Sequence, residues 1–217
     1  MRTHTKLLLI GACALTIVSH ESYAFSSHDI QRISQSSFTV VSDNRDEIAE
    51  AFVNDMARDA ISFLSDTGLS ETTKQQRFSR LLKRSFDMPT IGRFALGKYW
   101  RQASAQQRDE YQSLFRDMII EVYSRRFGEY KGQGLNVSGS RTMQKNDVAV
   151  STLVVPKDGG PKVKVDWRLR KKNGQYKVID IIVEGVSMAL TQRSDFSSVI
   201  QRGGGQVSVL LDHLRAQ

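Results

Sequence analysis

The chain has 217 residues, with 31 Lys+Arg against 23 Asp+Glu and a formal net charge of +8. At 40% apolar and 25% charged residues, it has the composition of a globular protein, long enough for one domain with a real core or for two small ones. A disordered chain, a collagen and an extended coiled coil are excluded.

The N-terminus does not read as part of the fold. Arg2 and Lys6 precede an apolar run, Leu7 to Val18, followed by polar residues and then Ser22-Tyr23-Ala24. This is the layout of a secretory signal peptide over residues 1–24, cleaved after Ala24. The run is shorter than the about 20 residues a membrane-spanning helix needs. Ile10-Gly11-Ala12-Cys13 loosely resembles a lipobox, but apolar residues continue past Cys13, so simple cleavage is the expectation. Cleavage removes two positive charges, one negative charge, His4, His20 and the only cysteine. His28 and His213, near the chain ends, are then the only histidines.

That loss excludes a cysteine nucleophile, a disulfide, a thiolate metal site and an iron–sulfur cluster. A Ser-His-Asp arrangement would need a central histidine. Gly203-Gly204-Gly205 lacks both the preceding strand and the following Lys-Ser/Thr of a phosphate loop, and reads as a helix stop.

Residues 25–43 are Ser-rich and polar and read as a flexible leader, with a single domain over 44–217. Asn44, with Glu47 at the capping-box offset, starts a helix with Ile48, Ala51, Phe52, Met56, Ala60, Phe63 and Leu64 on one face, ending near Gly68. A second helix spans about 71–86, with Phe78, Leu81, Leu82 and Phe86 inward. Asp87 caps a short helix from Pro89 to Leu96, stopped by Gly97. Ser104 and Gln107 form a capping box for a long helix in which Tyr111, Leu114, Phe115, Met118, Ile119, Val122, Tyr123 and Phe127 recur to about Tyr130.

The period then switches to two. Leu135–Gln144, Val148–Val155, Lys162–Arg170 and Tyr176–Val183 read as antiparallel strands, with turns at 145–147, 158–160 and Asn173-Gly174. The third strand alternates Val163, Val165, Trp167 and Leu169 with Lys164, Asp166, Arg168 and Arg170, so one face is apolar and the other polar. From Ser187 the chain returns to helix, with Phe196, Val199 and Ile200, then Val207, Leu210, Leu211 and Leu214 after the glycines. The fold class is α+β: N-terminal helices and a long central helix on a curved four-stranded antiparallel sheet, then C-terminal helices. Periodicity does not say whether the space between helices and sheet is solid core or a cavity.

Two motifs carry a resemblance. Phe94-Ala95-Leu96-Gly97-Lys98-Tyr99-Trp100-Arg101, followed by Gln107-Arg108, is one; Asp180-Ile181-Ile182-Val183-Glu184-Gly185-Val186-Ser187-Met188 is the other. Together they resemble the MlaC family of periplasmic phospholipid-binding, or toluene-tolerance, proteins. The resemblance covers about residues 45–214. It implies a soluble periplasmic carrier that shuttles phospholipid between an inner-membrane ABC-type transport complex and an outer-membrane lipoprotein/porin complex, maintaining outer-membrane lipid asymmetry. It implies no cofactor beyond the lipid cargo, no metal, no catalytic group, a monomer, and an apolar cavity between helices and sheet.

Strand and helix phase then nominate the tail-contacting residues: Leu96, Tyr99, Trp100, Phe115, Ile119, Tyr123, Phe127, Val150, Val163, Val165, Trp167, Leu169, Ile181, Val183 and Met188. Ordinary core is the competing reading for each of them. A carrier of hopanoid or sterol-like lipids remains an alternative. So does a hydrolase or isomerase on a cone-shaped α+β fold using Asp180 and Glu184, although structural roles at the Gly185 turn and the Ser187 helix are the expectation for both. Lys83-Arg84, Arg125-Arg126 and Lys171-Lys172 could attract anionic headgroups or acidic surfaces, or be solvated faces. Export and the absence of a binding motif argue against nucleic acid.

Overall fold

The computed structural model describes residues 44–144 and 146–217. The expected signal peptide, the leader with His28, and the turn residue Lys145 lie outside them. In chain order the elements are α1 (Asn44–Leu64), α2 (Glu71–Ser85), α3 (Met88–Leu96), α4 (Tyr99–Gln102), α5 (Ala105–Ser124), a 3₁₀ turn (Phe127–Glu129), β1 (Gly134–Gln144), β2 (Asp147–Val155), β3 (Val163–Lys172), β4 (Gln175–Val183), β5 (Val186–Ser187), α6 (Met188–Arg202) and α7 (Val207–Arg215).

Local chemistry sets the helix starts. The Ser104 hydroxyl accepts the Gln107 N–H at 3.1 Å, and the Gln107 side chain accepts the Ser104 N–H at 3.0 Å, which completes the capping box. Asp87 accepts the Thr90 N–H at 3.1 Å, and the Ser187 hydroxyl accepts that of Leu190 at 3.1 Å. Each satisfies a donor the helix leaves unpaired.

The sheet is an antiparallel meander of five strands in the order β1-β2-β3-β4-β5, one more than the sequence suggests. The extra strand is two residues long, too short to show a period. A two-residue hairpin makes it, with Val183 opposite Val186 and both turn residues, Glu184 (φ 48°) and Gly185 (φ 82°), in the left-handed region. Before that hairpin, the edge of β4 is closed by the α2–α3 connection, where the Asp87 N–H donates to the Val178 carbonyl at 2.9 Å.

Two further expectations are corrected. The long helix does not run on to Tyr130: it ends at Ser124, and Phe127 sits on a 3₁₀ turn, buried against Phe63 and Phe78. That tertiary contact overrides the helical phase. In α1 the buried stripe is Ala49, Val53, Met56 and Phe63, while Ile48 is exposed. The small Ala49 lets the helix approach β1 closely, with the Ser140 hydroxyl donating to Glu50 at 2.6 Å and that of Thr142 to Asp46 at 3.1 Å.

The core has two parts. A helical core joins α3, α4, α5, α6 and α7 through Leu96, Tyr99, Tyr111, Phe115, Phe196, Ile200 and Leu210. Its centre is an aromatic triad, with Tyr111, Phe115 and Phe196 at ring separations of 5.8–6.0 Å. Burial pushes the Tyr111 phenol up, so it stays neutral and donates to the Gly92 carbonyl at 2.9 Å. The sheet-side core places α1, α2 and Phe127 over Val148, Val150, Leu169, Tyr176 and Val178. Phe86 packs against both.

Candidate functional site

Strand register defines the apolar face of the sheet. Cross-strand pairing aligns Thr142, Val148, Leu169 and Val178 in one row and Ser140, Val150, Trp167 and Ile181 in the next. A third row runs Val137, Thr152, Val165, Val183 and Val186, and a fourth Leu135, Val154 and Val163. A bulge in β4 at Ile179 keeps Val178 and Ile181 on the same face although they are three residues apart.

Burial falls along these rows but not evenly, since Val150, Thr152 and Val165 stay buried in the second and third of them. Val148, Leu169 and Val178 are sealed beneath α1 and α2, whereas Trp167 and Ile181 are half-buried. Val163, Val154 and Val183 are half-buried too, and Val186 is 55% exposed. The sheet therefore has a closed apolar end and an open one. Trp167 spans the change: its indole N–H donates at 3.0 Å to the Thr152 hydroxyl, which donates on to the Val165 carbonyl at 2.9 Å. The polar atoms of that row are thus satisfied internally, and what remains to be covered is apolar.

An aromatic cluster joins this core from the helical side. Phe127 meets Phe63 at 6.1 Å and Phe78 at 5.5 Å, and Phe78 meets Tyr123 at 6.4 Å. Tyr123 forms its rim, 45% exposed.

The nominated residues separate accordingly. Phe127, Val150, Val165, Leu169, Trp167, Ile181, Val163 and Val183 fall on the sheet side, with Tyr123 at the aromatic rim and Met188, half-buried, just beyond β5. Leu96, Tyr99 and Phe115 are buried in the helical core, and Ile119 packs against that core. Trp100 also packs there and lines a surface groove. Helical phase alone could not divide these sets, because it says which side of a helix is apolar and not which neighbour covers it.

The opposite face of the sheet is polar and largely self-paired, although the buried Arg168 Nε has no hydrogen-bond partner among the described residues. Arg170 donates twice to Asp147, at 2.7 Å each, which holds that carboxyl below the usual carboxylate range despite its burial. Asp180 accepts the Ser187 hydroxyl at 2.7 Å and the Ala189 N–H at 3.1 Å, with Arg168 at 3.9 Å. Glu184 accepts the Lys164 N–H. Asp180 ties β4 to the start of α6, and Glu184 closes the hairpin; both carboxylates hold the backbone. Among the described residues there is no group of His, Cys, Asp and Glu that could hold a metal ion.

The basic pairs are largely neutralised as well. Arg84 pairs with Asp59, Arg125 with Glu121 and Lys172 with Asp87. The groove near Trp100, of about 460 Å³, is different: Thr90, Arg93, Phe94, Gly97, Lys98, Trp100, Arg101 and Arg193 line it, with four cations and no acid. The sequence scatters these cations over α3, the α3–α4 turn, α4 and α6, which is why no charge run announces them.

Comparison with known proteins meets this geometry. The toluene tolerance protein ttg2D of Pseudomonas putida is 26% identical over 115 residues, which are 53% of each chain, so that match spans about half of the relative. An intermembrane phospholipid transport system binding protein, MlaC, of Haemophilus influenzae is 22% identical over 143 residues, 62% of this chain and 67% of that one. The solved structure of a phospholipid-binding protein from Ralstonia solanacearum, in complex with a phospholipid, superposes with a TM-score of 0.67 at 25% identity, covering 77% of this chain and 95% of the other. The family description "MlaC protein" matches residues 54–216, from the middle of α1 to just past α7. That match takes in most of the chain, and this chain belongs to the MlaC protein family.

Proposed function

We propose that the chain is a phospholipid carrier of the periplasm, and that acyl tails enter over the open end of the sheet's apolar face. The observation that carries this reading is the fall in burial from Val148 and Leu169 to Val163, Val183 and Val186 along a face whose polar side chains Ser140, Thr142 and Thr152 are hydrogen-bonded within the protein. The phospholipid bound in the Ralstonia solanacearum structure supports it. Trp167, Ile181, Val163 and Val183 line the entry, with Tyr123 and Met188 at its margins, while Phe127, Val150, Val165 and Leu169 form the floor.

The energetics fit a carrier. A two-tailed lipid exposes about 30 methylene groups to water at roughly 0.8 kcal/mol each, on the order of 25 kcal/mol, so unaided transfer through an aqueous space is negligible. Tails offer no hydrogen bonds, so recognition is by apolar area, and the chemistry needs no catalytic group. The same reading gives the carrier its route, between an inner-membrane ABC-type complex and an outer-membrane lipoprotein/porin complex, as a monomer in support of lipid asymmetry.

Native mass spectrometry of the protein exported in a Gram-negative host, followed by lipid extraction, tests this. A mass excess that resolves into phospholipid is the expected result. A hopanoid or sterol-like extract would change the cargo. A protein that stays bare after incubation with phospholipid vesicles would overturn the reading.

A further inference from the structure

We propose that the basic groove between α3, α4 and α6 is a docking site for a carboxylate-bearing segment of a partner protein. Its four cations, Arg93 on α3, Lys98 in the α3–α4 turn, Arg101 on α4 and Arg193 on α6, line one groove. No carboxylate pairs with any of the four among the described residues, and the lining of the groove holds no acid. Like charges held close together in a concavity raise the local positive potential, which attracts an anionic group.

The groove is also shaped in advance. The Arg193 guanidinium lies 5.4 Å from the centre of the Phe94 ring, and that of Arg93 5.8 Å from the Trp100 ring, which Arg108 also approaches at 5.5 Å. Arg108 is in turn tied to the Trp100 carbonyl at 2.8 Å. Stacking fixes the guanidinium planes, so less rotamer freedom is lost when a carboxylate binds. Gly97 makes room for Arg193: a Cβ at Gly97 would lie 2.7 Å from the Arg193 Nε, and its φ of 60° is one that side chains disfavour.

The mixed lining, cations around an exposed ring, favours a protein segment with acids flanking an apolar side chain. Trp100 is held half-buried beneath its guanidiniums, beside Gly97. Phe94, 43% exposed, offers an apolar contact for a side chain between two acids. Three of the four cations are arginines, whose forked donors match carboxylates in pairs.

The test is fluorescence anisotropy at low salt, using dye-labelled hexapeptides with two Asp or Glu residues on each side of a central Leu, Phe or Trp. Wild type and a distal control, Arg58→Gln/Arg84→Gln, should bind members of the set alike. Arg93→Gln/Arg193→Gln should weaken them by about tenfold or more. Lys98→Gln/Arg101→Gln, at exposed positions that spare the fold, should act in the same direction. Vesicles containing phosphatidylglycerol should not compete. The proposal fails if no peptide binds, if groove variants bind as wild type does, or if vesicles bind through these cations and peptides do not. Lipid content is assayed in the same preparations, so loss of peptide binding with lipid retained is distinct from failure of the carrier reading.

Discussion

In the helical core, Leu96, Tyr111, Phe115, Ile200 and Leu210 are sealed on every side by the helices around them. On the sheet, side chains of the same kind begin equally sealed at Val148, Leu169 and Val178 but are progressively uncovered toward Val163, Val183 and Val186. Composition does not separate the two regions; coverage does. An apolar residue whose neighbours enclose it supports the fold, and the same residue at an open margin is available to a ligand. The two regions should therefore respond to mutation in opposite ways, one losing stability and the other losing cargo.

The largest effect is expected in the helical core. Phe115→Ala removes a ring from the Tyr111–Phe196 stack and should cost about 3–5 kcal/mol, read by denaturant unfolding, with lipid per folded molecule unchanged. A loss of lipid at full stability would break the comparison. Next is Asp180→Ala, which strands the Ser187 hydroxyl and the Ala189 N–H and should cost about 2–3 kcal/mol. If Asp180→Ala melted like wild type while some hydrolytic activity vanished, the carboxylate would have a chemical role that its hydrogen bonds do not suggest.

Asp147 should yield about 2 kcal/mol through its hydrogen bonds to Arg170. Its folded-state carboxyl is depressed, so this stabilisation is present above the unfolded carboxylate range and is lost as pH falls through the lower, folded value. Asp147→Asn should thus be less stable at neutral pH and converge with wild type in strong acid. Parallel curves across that window would contradict the pairing. Smallest in stability, at under about 1 kcal/mol per site, is Val163→Ser/Val183→Ser at the half-buried end. That variant should fold normally and lose most co-purified lipid.

Much of the architecture is legible in the residues. The Ser104–Gln107 box, Asp87 and Ser187 announce three helix starts, and the clean alternation of β3 assigns its apolar face by period alone. The four long strands lie within two residues of their expected bounds. What escapes the sequence depends on tertiary contact. The two-residue β5 has no period, Phe127 leaves its helix for Phe63 and Phe78, and the Ile179 bulge changes the phase of β4 midway. The candidate site is half legible for the same reason. Trp167, Ile181 and Val183 follow from strand phase, but Leu96, Tyr99 and Phe115 share their apolar character while facing other helices.

The most direct test uses a phospholipid with a photoactivatable diazirine near the end of one acyl chain, loaded into the protein, irradiated and mapped by peptide mass spectrometry. Adducts should concentrate on β3, β4 and the aromatic rim, at Val163, Trp167, Ile181, Val183 and Tyr123. Adducts confined to Leu96, Tyr99 and Phe115, or to the groove at Phe94 and Trp100, would contradict the assignment of the tails to the open end of the sheet.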